Sequence, residues 1–325
     1  MKRMMLALLM LALLLLSGCT HTSTTETGDR AGEDQFIVVG FSQVGAESDW
    51  RNANTKSMLE ALSEENGYRL IIHDAQQKQE RQITAIRNFI QQEVDYIVLA
   101  PTTETGWDTV LAEAKAVGIP VIIVDRMIEV SDPSLFTCWV GSDFLREGQM
   151  AVDWMAEHLT GPLKIAHLQG NLGSSAQLGR TNALDNALAL HGDWELVFRD
   201  NGDFTQAKGQ ELVEALLASG TEFNVVFSEN DNMAYGAINA LKGAGIVPGR
   251  DVTIISFDAN RTALEMLLTG EISYDVECNP LHGPRVRTLI ESLAAGIDTP
   301  KLTYVDETAF SPESITGEVL GLRGY

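Results

Sequence analysis

Basic residues, cysteines and long apolar segments are all scarce in this 325-residue chain. It has 23 Lys and Arg residues against 45 Asp and Glu residues, which gives a formal net charge of −22. A surface of this sign repels phosphate backbones, so nucleic acid is not an expected partner. The most apolar stretch, 6–16, is too short to span a bilayer as a stable helix.

The motifs of common enzymes and metal sites are missing too. There is no HExxH, CxxC, GxSxG or Walker loop, and no GxGxxG that follows a strand. We therefore expect no cofactor, no metal site and no catalytic residues. Acidic residues are so numerous that a carboxylate pair with glycosidase spacing can occur by chance. An extracellular carbohydrate-cleaving enzyme thus stays open as an alternative.

One of the three cysteines indicates export. Cys19 ends the segment LSGC (16–19), which follows the basic residues Lys2 and Arg3 and the apolar stretch. This pattern predicts a lipoprotein signal peptide over 1–19 and lipidation at Cys19, which would anchor the protein outside the cytoplasm, in the periplasm or at the cell surface. Loss of Lys2 and Arg3 would change the net charge from −22 to −24.

The other two cysteines, Cys138 and Cys278, could form a disulfide or remain free and buried, and we favour the second interpretation. Residues 20–35 are rich in Thr, Gly and acids without apolar periodicity, which predicts a flexible tether.

From residue 36 onward, short apolar runs alternate with amphipathic stretches, as is typical of parallel sheets covered by helices. Strands are predicted at 36–42, 68–73, 96–100, 121–125 and 136–140, and again at 164–168, 195–199, 225–228, 253–257 and 273–276. Helices are predicted to begin near Trp50, Gln79, Gly106, Ser174, Thr205, Asn230, Arg261 and Pro280. The fold class is therefore α/β, with two doubly wound parallel-sheet lobes joined by a multi-strand hinge. The first lobe is predicted as 36–141 plus about 280–300 and the second as 142–279, with 301–325 as hinge return and tail.

Polar residues that follow predicted strands are the candidates for a binding site, because strand carboxyl ends line the crevice of such folds. In the first lobe, Trp50 and Arg51 could stack on a sugar ring and bond its hydroxyls, or could be a core residue and a solvated one. Asp125 and Arg126 close a strand and could bind neighbouring hydroxyls, or form a surface ion pair.

The second lobe offers Arg180, Phe204, Asn230 and Asp258 at equivalent positions. Asn230 and Asp258 could instead cap helices. Arg180 could be an exposed helical arginine, and Phe204 an ordinary loop aromatic.

Several segments resemble the periplasmic sugar-binding proteins of the ribose and galactose class that serve ATP-binding-cassette importers, and most of all its galactofuranose-binding members. They are VGFSQVGAESDWR (39–51), DAQQKQERQITAIRNFI (74–90), LAPTTETGWDTVLAEAKAVGIPVIIVDRMI (99–128), LQGNLGSSAQLGR (168–180), NGDFTQAKG (201–209) and SENDNMAYGAINALKGAGIVPGRD (228–251). The resemblance implies the periplasmic binding protein type I fold. It also implies sugar contacts for all the candidates above and adds Glu47 over the sugar and Glu277 at the hinge.

The implied function is capture of a monosaccharide, galactofuranose or a related hexose or pentose, between the lobes of a monomer. Delivery to the permease of an ABC transporter would follow. A sensory receptor module would use the same cleft, so it stays an alternative. A regulator of the lactose-repressor type would need a helix-turn-helix where this chain has a lipoprotein signal. Two features depart from the resemblance, namely the lipidation signal and Ala259 in place of a common glycine.

Overall fold

Two six-stranded sheets organise residues 36–325, the part of the chain that the computed structural model describes. The predicted signal peptide with Cys19 and the predicted tether lie outside the described residues. The first sheet contains β1 (Ile37–Gln43), β2 (Tyr68–Asp74), β3 (Tyr96–Leu99), β4 (Val121–Val124), β5 (Cys138–Gly141) and β11 (Leu302–Tyr304). The second contains β6 (Leu163–Gln169), β7 (Trp194–Asn201), β8 (Val225–Ser228), β9 (Thr253–Asp258), β10 (Tyr274–Glu277) and β12 (Ala309–Phe310).

The two sheets share one topology. Their strand orders are β2-β1-β3-β4-β5-β11 and β7-β6-β8-β9-β10-β12. All recorded pairings within the sheets are parallel except β10 with β12, which is antiparallel. The strand order reverses at β1/β3 and at β6/β8, and ligands of doubly wound folds bind in the crevice at such points. The predicted α/β class with two doubly wound lobes is confirmed.

Helices cover both faces of each sheet, which explains why the central strands are apolar throughout. The four residues of β4, for example, are all buried. The α-helices within the described residues are α1 (Asp49–Ala61), α2 (Gln79–Gln91), α3 (Asp108–Ala116), α4 (Phe144–His158), α5 (Ser175–Leu190), α6 (Gln206–Ala218), α7 (Asp231–Gly243), α8 (Arg261–Thr269), α9 (His282–Ala294) and α10 (Gly317–Leu322). In residues 36–325 we find no helix with the length and apolar character to cross a membrane.

The predicted strand and helix positions agree with the structure to within a few residues. Several helices begin directly after a residue whose side chain caps them, including Ser48, Ser174, Thr205 and Asn230. The sequence did not predict β11 and β12, because they have only three and two residues and carry no buried apolar run.

The chain passes from one sheet to the other after β5, after β10 and between β11 and β12. Helix α9 returns to the first sheet, where Val286 and Ile290 pack in the same apolar cluster as Val39 and Phe41. These crossings support the lobe boundaries given above, which we retain as a proposal. Below, the first and second lobes are the parts of the molecule that carry the first and second sheets.

Candidate functional site

A cavity lies between the two lobes. Nine of the ten predicted site residues line it: Glu47, Trp50, Arg51, Asp125, Arg126, Arg180, Phe204, Asn230 and Asp258. In the first lobe, the site residues lie in the segments that follow β1 and β4. In the second lobe, Phe204 follows β7, Asn230 follows β8 and Asp258 is the last residue of β9. Parallel strands thus deliver residues that are distant in sequence to one crevice.

The backbone around the cavity is strained at three of these positions. Asp125, Phe204 and Asp258 have φ values of 63°, 60° and 111°, a region that non-glycine residues rarely adopt. Glycines make room for two of them, because a Cβ on Gly141 would lie 2.1 Å from the carbonyl oxygen of Asp125 and one on Gly170 would lie 1.8 Å from Phe204 Cζ. Strain of this kind concentrates at functional sites.

Arg51 organises the charges of the first lobe. Its Nη1 donates to Asp125 Oδ2 at 2.8 Å and its Nε donates to Glu47 Oε1 at 3.0 Å. Burial by itself would lower the pKa of Arg51, but the two carboxylates raise it above its usual value. The guanidinium also lies over the Trp50 ring, 4.6 Å from the centroid. The alternative of a solvated Arg51 is therefore wrong, because the side chain is buried and paired.

Arg126 is less well satisfied. The closest carboxylate oxygens, on Asp125 and Glu47, lie 3.9 and 4.0 Å from it. Its hydrogen bonds to Thr102 O and Asn171 Oδ1 are long, at 3.4 and 3.5 Å. Burial, followed by the charge of Arg51, lowers the pKa of Arg126 to about 10. This guanidinium retains donors that a ligand can use.

Arg180 organises the second lobe. Its Nε and Nη2 lie 2.8 and 2.7 Å from Glu147 Oε2, and Nη2 lies 3.9 Å from Asp258 Oδ1. Nη1 also donates to the backbone carbonyl of Glu229. Burial raises the pKa of Glu147 to about 7 in spite of the arginine. The predicted alternative of an exposed arginine is wrong, since the Arg180 side chain is 2 % exposed.

Two carboxylates of the cavity wall have oxygen atoms to which no described residue donates a hydrogen bond. The side-chain oxygens of Asp258 accept no hydrogen bond from residues 36–325, since Arg180 Nη2 is 3.9 Å from Oδ1, and Oε2 of Glu47 is buried without a partner there. Burial and the charge of Asp231 raise the pKa of Asp258 well above the usual value for an aspartate. Together with Arg126, these groups give the cavity free donors and acceptors on both lobes.

Asn230 caps helix α7 as the helix-capping alternative predicted. Its Oδ1 accepts from Met233 N at 3.0 Å and its Nδ2 donates to Phe204 O at 3.1 Å. The side chain therefore lines the cavity and also fixes the loop that carries Phe204.

Hydrogen bonds between the lobes surround the cavity. The Trp50 indole donates to Cys278 O at 2.7 Å, and Trp50 packs in an apolar cluster composed mostly of second-lobe residues. The structure is thus a closed state. Further bonds join Asn171 Nδ2 to Gln77 Oε1 (2.5 Å), Glu104 N to Gly173 O (2.9 Å), Met127 N to Ser175 Oγ (2.8 Å) and Asp49 N to Asn232 Oδ1 (3.0 Å).

Glu277 lies apart from the other predicted site residues. Its Oε1 accepts from Arg323 Nη1 at 2.6 Å and from the Tyr325 hydroxyl at 3.1 Å. Glu277 is the last residue of β10 and faces the C-terminal segment, whereas Cys278, which follows the strand, lines the cavity. Cys278 and Cys138 are both free and buried, as we favoured.

Sequence reasoning missed four residues of the cavity wall, namely Ser48, Phe144, Ala176 and Cys278. Phe144 follows β5, so the rule that strand carboxyl ends line the crevice would have found it. Glu147 was also missed, because only the folded chain places it against Arg180.

Comparison with known proteins identifies the family of this chain. The family model described as "Periplasmic binding protein domain" matches residues 39–280. The galactofuranose-binding protein YtfQ of Escherichia coli (strain K12) is 37 % identical over 288 residues, which cover 87 % of this chain and 90 % of that protein.

Two solved structures are similar as well. A Mycobacterium smegmatis protein in complex with β-D-fucofuranose is 40 % identical, with a TM-score of 0.82 over 85 % of this chain and 92 % of that one. The periplasmic binding component of the arabinose ABC transporter of Shewanella sp. ANA-3, bound to α- and β-L-arabinofuranose, is also 40 % identical, with a TM-score of 0.81 over the same shares. The chain described here belongs to the periplasmic binding protein domain family.

Proposed function

We propose that this protein is an extracytoplasmic, lipid-anchored solute-binding protein that captures a monosaccharide between its lobes and delivers it to an ABC transporter. The observation that carries the proposal is the closed cavity between the lobes, in which Asp258, Glu47 and Arg126 retain unused hydrogen-bonding capacity.

The chemistry of the cavity suits a sugar. Hydroxyl groups can donate to the carboxylates of Asp258 and Glu47 and accept from the guanidinium of Arg126, and hydrogen bonds to charged groups are the stronger ones. Phe204 and Trp50 offer apolar faces against which a sugar ring can stack. A ligand that bonds to both lobes favours the closed state by its differential affinity.

The ring form that we propose is the furanose. Three similar proteins are linked to furanose sugars. One is named for galactofuranose, and the other two have β-D-fucofuranose and L-arabinofuranose bound. The proposed ligand is therefore galactofuranose or a related hexose or pentose in furanose form. The proposal assigns ligand contact to the nine cavity residues and assigns Glu277 to the hinge. No covalent chemistry is part of it.

Titration calorimetry on the chain from residue 20 onward tests this function. We expect one-to-one binding of galactofuranose-containing sugars, with weaker binding of galactopyranose, ribose, arabinose and glucose. Tight binding of another sugar would keep the class and change the ligand. Absence of binding across the panel would refute the proposed function.

Membrane attachment requires a separate test, because it rests on the LSGC segment alone. We expect the full chain, expressed in a bacterium that processes lipoproteins, to partition into a detergent phase. Cys19→Ser should move it to the aqueous phase, whereas Cys138→Ser should leave it with detergent. Equal partitioning of both variants would contradict the anchor.

A further inference from the structure

Behind the sugar cavity, two carboxyl groups are buried against each other. Asp231 begins helix α7 and Asp275 lies in β10, and both side chains are 0 % exposed. They lie within hydrogen-bonding reach of each other. Asp275 Oδ2 has no partner among the described residues other than this carboxyl group. Two carboxylates in contact in a dry interior cannot both carry a charge, so a proton between them is required.

The same two carboxyl groups hold the loop that carries Asp258. Asp275 Oδ1 accepts from Ala259 N at 3.2 Å, and Asp231 Oδ2 accepts from Asn260 N at 2.9 Å. Asp231 Oδ1 is held in turn by the Ser256 hydroxyl at 2.6 Å. Asp258 and Ala259 have φ values of 111° and 49°, so the loop adopts a conformation that its own residues disfavour.

We propose that Asp231 and Asp275 share one proton and act as positioning residues, which hold the strained loop 258–260 so that Asp258 faces the ligand. The inference rests on the proposed function only in taking the cavity to be the place where a ligand binds. The proton and its effect on the loop can be tested without any sugar.

Other charged groups surround the pair. Burial and the charge of Asp258 raise the pKa of Asp275 to about 8, and burial together with Asp275 raises the pKa of Asp231. Asp275 releases its proton first, because the Asp231 carboxyl donates to it. The shared proton is lost only as the pH rises through the pKa of Asp231, where two adjacent carboxylates would repel each other. The groups that act on the pair from neighbouring elements are Tyr235 on α7, Asp258 on β9 and Arg323 after α10.

The informative variant is Asp275→Asn. Its Oδ1 can still accept from Ala259 N, and its Nδ2 can donate to Asp231 as the shared proton does, but it cannot ionise. Asp193→Asn serves as a matched control, because Asp193 is exposed on the same lobe. The first measurement is hydrogen exchange at the amides of residues 259 and 260, expressed as protection relative to the unfolded chain at each pH.

We expect protection of these amides in the unmodified chain and in Asp193→Asn to fall by about tenfold per pH unit as the pH rises toward the folded-state pKa of the pair, and to level off above it, while Asp275→Asn stays protected. Infrared spectra of the unmodified chain should show a protonated carboxyl band that disappears at alkaline pH and is missing from Asp275→Asn. Glu307, whose pKa burial raises to about 9, contributes equally to both spectra. Equal loss of protection in Asp275→Asn would overturn the proposal. So would the absence of a titrating protonated carboxyl in the unmodified chain, which is readable even if the variant fails to fold.

Sugar affinity provides the second measurement. As the pH rises through the pKa of Asp231, we expect the unmodified chain to lose about tenfold more affinity for a bound furanose than Asp275→Asn does. An equal loss in both would show that Asp258 or another group causes the pH dependence, and would overturn the positioning role. If the unmodified chain binds no sugar at any pH, the proposed function fails, while the exchange and infrared results still decide this inference.

Discussion

Replacing Arg180 by Met is expected to lower the free energy of unfolding by about 3–5 kcal/mol near pH 8, and to weaken sugar binding as well. The reason is Glu147, whose carboxylate is 1 % exposed and has Arg180 as its cation. Removing one partner of a buried ion pair leaves an uncompensated charge in the interior. Urea denaturation of the sugar-free protein would measure the loss.

The pH dependence of that loss identifies its cause. The pKa of Glu147 is raised to about 7 with Arg180 present, and it would rise further without the arginine. Near pH 5 the variant can therefore keep Glu147 protonated, so the difference from the unmodified chain should shrink at low pH and grow as the pH rises.

Two controls accompany this variant. Glu147→Gln combined with Arg180→Met should recover most of the stability, because no unpaired charge remains. Arg261→Met removes an exposed pairing with Glu265 and should change the free energy of unfolding by about 0.5 kcal/mol or less. A loss for Arg180→Met that is the same at pH 5 and pH 8 would contradict the electrostatic explanation.

Asp258→Asn is expected to weaken binding of the preferred furanose by about 2–3 kcal/mol, or roughly 30- to 150-fold. Asparagine keeps the shape of the side chain and tolerates positive φ values. Its amide group, however, presents a donor where the sugar hydroxyls require acceptors. Calorimetry on the variant and on Asp193→Asn, which should bind as the unmodified chain does, measures the effect.

The free energy of unfolding of Asp258→Asn, unlike its affinity for the sugar, should not decrease. Burial and the charge of Asp231 raise the pKa of Asp258, so the folded state disfavours its ionised form, and this penalty grows as the pH rises from below 4 toward the folded-state pKa. At neutral pH, Asp258→Asn should therefore leave the free energy of unfolding unchanged or raise it. A loss of stability that parallels the loss of affinity would indicate a structural residue instead.

Much of the architecture could be predicted because it depends on local patterns. Short apolar runs predicted ten strands to within a few residues, and the amphipathic stretches between them predicted where several helices begin. Strands β11 and β12 escaped prediction because pairing with β5 and β10, rather than any apolar run, makes them strands.

The site residues likewise include some that sequence patterns could predict and some that they could not. Residues at strand ends, such as Asp125 and Asp258, could be proposed from sequence because topology brings those ends to one crevice. Glu277 shows the limit of this reasoning. It also ends a strand, but its carboxylate accepts a hydrogen bond from Arg323 and does not line the cavity.

The sequence by itself determined the alternation of strands and helices, the two lobes and the residues that can reach the cleft, because hydrophobic period and capping are local properties of the chain. Only the tertiary structure decided which of those groups keep free hydrogen-bonding capacity. Arg51 and Arg180 have the same chemistry as Arg126, but Asp125 and Glu147 bond the first two at under 3 Å, while Arg126 has no carboxylate closer than 3.9 Å. That difference depends on distances between segments far apart in the chain, which no local pattern encodes.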